Sequence, residues 1–489
     1  MLSAIINKYK NYFLIAGLVL WLFRPTGNDF YIVFVFLYSI SIIFNKPTLI
    51  NNPLIDIKAI EIIIYISLAL ITTTLFMKFM SFGYHYLDLG YDHHLSINLL
   101  LNNEYFNKVY SISGFGDHFS PSFVPFIHVF YMIYATSFWL VFLKCASVII
   151  FTILFLQLNK KLAPIVLLSY LLFSTQNISA IFWEFDTTSL VPALVMIIYY
   201  SIIKRDWLVF WITMIFSLGL KENVGVVWIC YGLYFVFIEK KIRFGSILAG
   251  IGLLYMVIVW YVVIPYFAQT TNNVASDINL FREIPLKIKY IFMAYAPFFF
   301  LPFLNWRWLL FTLPALGINL IGKPPMYSGS FHYADILTAL IAIASLVTLT
   351  ENFERIKNYI CERRVLALFP IALIVLIIPE SPMQKFVRYY PDEKDRAAFF
   401  ELHKFLEEHP TQKLAVSSNM SPLMDRANFE IFVADSRCRL NNNAEYLVYF
   451  DQTYRNQAHL DECIKKLKLS RLWKKVNKYQ SIGVYEAST

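Results

Sequence analysis

The sequence predicts an all-α polytopic membrane protein of about 11–13 helical spans, with a small soluble mixed α/β domain at its C-terminal end. Three observations predict it. Hydrophobic residues make up 58% of the 489-residue chain and charged residues only 15%, where soluble domains carry about 25% charged residues. Apolar runs recur from the N-terminus to residue 379. Beyond them the composition changes abruptly, and residues 380–489 hold 17 Lys/Arg and 15 Asp/Glu.

A span needs about 20 apolar residues, with about 17 as a working minimum. Candidate cores lie at 11–23, 30–44, 59–80, 137–157, 162–175, 189–203, 207–219, 224–238, 244–267, 290–304, 308–320, 333–350 and 365–379. Several are short as bounded, and flanking aromatic residues extend them; 13 spans is the preferred count. The first run follows Lys8 and Lys10 and meets Arg24-Pro25 and a second apolar run, not a small-residue cleavage site. It reads as a retained anchor. Cys145 and Cys230 fall inside spans as small buried residues. Cys438 and Cys463 share the tail, where an oxidising compartment would bridge them and any other would leave two buried thiols. There is no zinc spacing, internal repeat or low-complexity tract.

Thirteen alternating spans sort the short loops into two faces. Residues 1–10, 45–58, 158–161, 204–206, 239–243, 305–307 and 351–364 hold 16 Lys/Arg in 53 residues. Residues 24–29, 81–136, 176–188, 220–223, 268–289 and 321–332 hold 7 in 113. The positive-inside rule makes the first set cytoplasmic. The N-terminus is then inside and the C-terminal domain outside. The basic excess of +9 lies mostly in those inner loops. It marks topology, not nucleic-acid binding.

The outer loops carry Asp88, Asp92, Glu104, Asp117, Glu184, Asp186 and Glu222, with His85, His93, His94, His118 and His332. Several sit in nearly apolar settings such as Ile181-Phe182-Trp183-Glu184-Phe185-Asp186. Carboxylates beside a membrane are costly unless solvated or paired. The pattern points to a polar cavity open to the exterior, against the plainer alternative of solvated loop charge. The 81–136 loop is too long for a connector. Its apolar part, 122–136, reads as an interfacial or re-entrant segment. In the tail, 391–409 reads as an amphipathic helix with Phe399, Leu402, Phe405 and Leu406 on one face. Strand-like runs follow at 413–417, 429–433, 446–450 and 481–485.

Five pieces occur in order: Asp88-Leu89-Gly90 with Asp92, Gly116-Asp117-His118-Phe119-Ser120-Pro121, Glu184-Phe185, Lys221-Glu222 and His332-Tyr333. In these the chain resembles the bacterial and archaeal membrane proteins of domain-of-unknown-function family 2079. The resemblance covers 80–350 and, more loosely, Ser417 to Arg426. Asp186 and Asn223 stand where that family usually has His and Asp, which leaves the roles of these two positions open.

That family is grouped with glycosyltransferases of the C-type fold (GT-C). The resemblance therefore implies transfer of a sugar from a polyprenyl-phosphate donor to a lipid, glycan or protein acceptor outside the membrane, here a prokaryotic cytoplasmic membrane. It implies Asp88 and Asp117 as catalytic acids, since hydroxyl or amine attack needs a nearby base. A phosphate leaving group needs positive charge. Lys221 is the foremost candidate, paired otherwise with Glu222 or Glu184. His332 and Tyr333 near Lys323 come second, and Arg282, Lys287 and Lys289 third. His118, Glu184, Asp186, Glu222, His332 and Tyr333 complete the expected substrate-binding set. A divalent cation on Asp88, Asp117, His118 or His93 is a further possibility that spacing alone does not diagnose. The rival functions are a transporter or flippase and a non-catalytic scaffold. A transporter would place charges mid-membrane on broken helices of repeated halves, whereas Lys144 and Glu61 form no evident relay.

Overall fold

The structure is a computed structural model, and it describes residues 57–268, 282–329, 331–356, 382–426, 429–432, 444–450, 465 and 473–487. The expected runs at 11–23, 30–44 and 365–379, and Cys438 and Cys463, lie outside these residues. Each of the ten other apolar runs coincides with helical structure. Among the described residues, five helices can cross a membrane by length and composition: Ile60–Met80, Phe138–Leu158, Thr187–Lys204, Ile242–Ala268 and His332–Glu351. A sixth is possible if Ala163–Phe173 and Thr175–Phe182, bent by 63°, count as one. Ten of the thirteen expected runs fall among the described residues, and several of the ten make shorter apolar helices, among them Trp207–Leu218, Glu222–Phe237 and Trp306–Ile321.

The run at 290–304 makes no continuous helix. Ile284–Tyr295 ends, and two short 3-10 turns follow. Pro297 and Pro302 lack the N–H that a helix needs. Between them Phe299 and Phe300 take left-handed φ of 55° and 53°.

Position in the bundle follows from side-chain chemistry. Ile242–Ala268 is apolar all round, and in its most apolar stretch only 28% of the residues are buried, as a lipid-facing helix would be. His332–Glu351 is 78% buried and carries Thr338, Ser345 and Thr348 inward, the small hydroxyls that let helices approach closely. Among the described residues, Gly225–Phe237 and Ile242–Ile258 make the most extensive helix–helix contact. A Cβ on Gly232 would lie 2.7 Å from the Ala249 Cβ, so this crossing requires glycine.

Outside the spans, Leu89–Asn102 and Phe123–Ile133 pack together. Phe123–Ile133 is too short to cross and leaves Val129, Met132 and Ile133 exposed, as an interfacial segment would. In the tail, Glu393–Glu408 opens on an Asp392–Asp395 capping box and buries Leu402, Phe405 and Leu406, while Phe399 is only partly buried. It packs on a five-stranded mixed sheet ordered Phe429–Phe432, Leu414–Ser417, Tyr446–Tyr449, Gly483–Ala487, Trp473–Lys475. The first two pairings are parallel and the last two antiparallel. Phe82, Tyr86, Tyr91 and Leu95 join the core of this sheet region. The first outer loop is thereby fixed to the tail, and Ser418 Oγ accepts from Tyr86 N at 3.0 Å.

Candidate functional site

The site begins at the C-terminal end of helix Thr175–Phe182, whose last carbonyls have no intrahelical partners. Two lysines supply them. Lys78 Nζ donates to Phe182 O at 2.8 Å. Lys144 Nζ donates to Ala180 O, Trp183 O and Glu184 O at 2.9, 3.2 and 2.8 Å. Cations at this end also oppose the helix dipole. The Lys144 charge, inside the Phe138–Leu158 helix, is therefore a clamp on the Trp183–Glu184 segment.

The clamped segment then organises the first outer loop. Glu184 Oε1 accepts from His85 N at 2.9 Å, and its Oε2 accepts from Asp88 N and Leu89 N at 3.1 and 3.3 Å. These amides open helix Leu89–Asn102, so Glu184 serves as its N-terminal anion. Trp183 Nε1 donates to Asp88 Oδ2 at 2.6 Å. Two residues on, Asp186 caps the turn Thr187–Leu190, and its Oδ1 accepts from Thr188 N and Oγ1 at 2.9 and 2.7 Å. Its Oδ2 accepts from Lys221 Nζ at 2.6 Å, both side chains being buried.

Lys221 thus pairs with Asp186, not with Glu222 or Glu184. Those two carboxylates are turned elsewhere: Glu184 to the loop amides, and Glu222 to His118 Nδ1 at 3.0 Å and Phe119 N at 3.3 Å. The pair also accounts for Asp186.

His332 closes the cluster. It is 4% exposed, and neither ring nitrogen has a hydrogen-bond partner. Its Nδ1 lies 3.9 Å from Asp88 Oδ2 and its Nε2 3.7 Å from Asp186 Oδ2. Tyr333 lies against it, tilted by 36°, with ring centroids 4.3 Å apart.

The electrostatics follow from this crowding. Burial, then the charges of Asp186 and Glu184, push the Asp88 carboxyl up to about 7, against the opposing pull of Trp183 and Lys221. Burial raises Asp92 in the same direction, and Asp186 adds to it. For Asp186 burial acts upward too, but Lys221 outweighs it and holds the acid well below its ordinary value. Lys221 is held above the usual lysine range, because Asp186 and Glu222 overcome its burial. His118 is 43% exposed. Partial burial and Lys221 lower its pKa, but Glu222 and Asp117 prevail and hold it up at about 9.

The structure brings Asp88, Glu184, Asp186, Lys221, His332 and Tyr333 together. Glu222, next to Lys221, links them to a second group of His118 and Asp117. Asp117 lies 4.0 Å from His118 Nε2 and is 44% exposed. Among the described residues, the acid and imidazole atoms close enough to share an ion belong to Asp88, Asp186 and His332, all within 4.8 Å. Asp117, His118 and His93 are outside that group. His93 is buried between Tyr131 OH at 2.8 Å and Met424 O, and burial pushes it down to about 4. Arg282 pairs with Glu283 at 3.8 Å, and Lys287 stacks over Tyr327 at 5.0 Å. The Asn223 side-chain oxygen has no hydrogen-bond partner.

Sequence reasoning missed Trp183, Lys78 and Lys144 as site-building groups, and it missed Asp335, which lies 3.5 Å from Thr188 Oγ1. The available signal was the rule that a cation in an apolar span must find a partner.

The sequence model of a family described as predicted membrane protein (DUF2079) matches residues 93–426, more than half of the chain. The chain belongs to this family and is an integral membrane protein. No curated protein and no solved structure matches it.

Proposed function

We propose that this member of the family is a membrane glycosyltransferase that moves a sugar from a polyprenyl-phosphate donor to an acceptor at the outer face of the membrane. One observation carries the reading. Asp88 is a carboxylate 24% exposed at the mouth of an otherwise buried cluster of charged groups, just beyond a membrane span. A carboxylate at the water-facing edge of such a cluster is placed to accept a proton from an incoming hydroxyl.

In this reading Asp88 takes the proton of the attacking acceptor hydroxyl. The acceptor oxygen bonds to the anomeric carbon, and the sugar–phosphate bond breaks. The polyprenyl phosphate leaves with the electron pair, towards the positive charge of His118 and Lys221. Asp117, on the exposed side, orients the acceptor. Glu184 and Glu222 hold the two loop segments in place. The exposed apolar face of Ile242–Ala268 offers the polyprenyl chain a lipid-side surface. The outward orientation rests on the loop charge bias.

A second reading, a transporter, is favoured by the 63° break between Ala163–Phe173 and Thr175–Phe182, since broken helices line many transport sites. One experiment separates them. Detergent-solubilised protein is given donor with a radiolabelled sugar and candidate acceptors. The transferase reading predicts label leaving the donor for an acceptor, although no second compartment exists. A transporter would leave every donor bond intact and move solute only in sealed proteoliposomes.

A further inference from the structure

We propose that Asp88, Asp186 and His332 form a binding site for one divalent transition-metal ion. Two independent features lead there. The first is geometric: one ligand atom from each residue lies within 4.8 Å of the other two. Two ligands that each sit about 2.1 Å from an ion are at most about 4.2 Å apart, so side-chain rotations of a few tenths of an ångström close the set. The second is the state of His332. A buried imidazole whose two nitrogens both lack partners is an exception to the rule that buried polar groups are satisfied. Both nitrogens lie near carboxylate oxygens, at 3.7 and 3.9 Å, too far for hydrogen bonds. An ion between them uses the lone pair that the protein leaves unspent.

The surroundings fit a ligated ion. Each ligating oxygen already accepts a hydrogen bond, Asp88 Oδ2 from Trp183 and Asp186 Oδ2 from Lys221, which fixes the carboxylates as outer partners do in metal sites. Asp88 is the solvent-facing member and gives the ion its way in. Two carboxylate oxygens with one imidazole suit manganese, iron, cobalt or zinc better than calcium or magnesium. The ion adds to the reading above, since it supplies positive charge beside the leaving phosphate. Asp88 would then hold the ion through Oδ2 and meet the acceptor through Oδ1. Metal binding needs neither donor nor acceptor, so it is tested apart from that reading.

The experiment titrates manganese(II) into the full chain, purified in detergent and stripped with a chelator, and follows free ion by electron paramagnetic resonance. The proposal predicts one ion per chain, displaced by zinc. Affinity falls at least tenfold in His332→Ala and in Asp186→Asn and is unchanged in Asp117→Asn. Because a variant at so buried a position can fail to fold, the wild-type protein carries a second readout. Its spin-echo modulation must show one directly coordinated imidazole nitrogen. Absence of stoichiometric binding, absence of the nitrogen signal, or full affinity in a folded His332→Ala protein would overturn the proposal.

Discussion

The two acid-bearing sides of this site spend their charge differently. On one side Glu222 and His118 satisfy each other at 3.0 Å, and Asp117 is 44% exposed. On the other, Asp88, Asp186 and His332 crowd together where only Asp186 has a cation of its own, and the imidazole has no hydrogen bond. Satisfied groups hold a structure, whereas buried groups with unused capacity are where a substrate or ion gains the most from binding. The proposed function accordingly gives the first side the positioning of acceptor and leaving phosphate, and the second side the reacting base.

Substitutions sharpen this contrast through stability. The largest effect is expected for Lys221→Met, which strands the Asp186 carboxylate in a buried setting. Removing one partner of a buried pair costs about 3–5 kcal/mol. Thermal unfolding in detergent should show the loss, and Asp186→Asn made together with Lys221→Met should recover part of it. No recovery would mean that Lys221 acts other than through Asp186.

Glu184→Gln comes next. The amide keeps one acceptor oxygen for the three backbone donors and introduces an NH₂ among them. The expected cost is about 1–3 kcal/mol. Hydrogen exchange should localise the loosening to residues 85–89. Exchange unchanged there would remove Glu184 from the frame.

The smallest effect is that of His118. Its pKa is held up at about 9 in the folded protein, against about 6.5 in an unfolded chain. A raised histidine contributes stability that is full below about 6.5 and is lost as pH rises through about 9. Its exposure of 43% reduces the contribution to about 1 kcal/mol or less. The melting-temperature gap between wild type and His118→Gln should therefore close between pH 6.5 and pH 9.5. A gap that widens with pH would show the histidine to be neutral in the fold.

Much of this was legible in the sequence, for identifiable reasons. The spans were visible because lipid demands apolar length, and the helix at 393–408 because its apolar face repeats at helical spacing. The gathering of Asp88, Asp186, Lys221 and His332 was anticipated as residues on one face. Their pairing was not legible. Lys221 lies beside Glu222 in the chain, yet its partner is Asp186, 35 residues away, because Glu222 is drawn to His118. Lys144 looked isolated because its three partners are backbone carbonyls, which no sequence pattern records. The break at 296–304 was hidden inside an apolar run that contains two prolines.

The central claim of the proposed function is that Asp88 takes the proton while Asp117 only orients the acceptor. The most direct test compares Asp88→Asn with Asp117→Asn in membranes carrying equal amounts of folded protein, by transfer of a labelled sugar from a polyprenyl-phosphate donor. Both substitutions are nearly isosteric and remove only charge and basicity. Loss of a positioned base lowers a rate about 10²–10⁴-fold, and that loss is predicted for Asp88→Asn, with less than about a tenfold loss for Asp117→Asn. Near-normal transfer by Asp88→Asn, or an equal collapse in Asp117→Asn, would contradict the account.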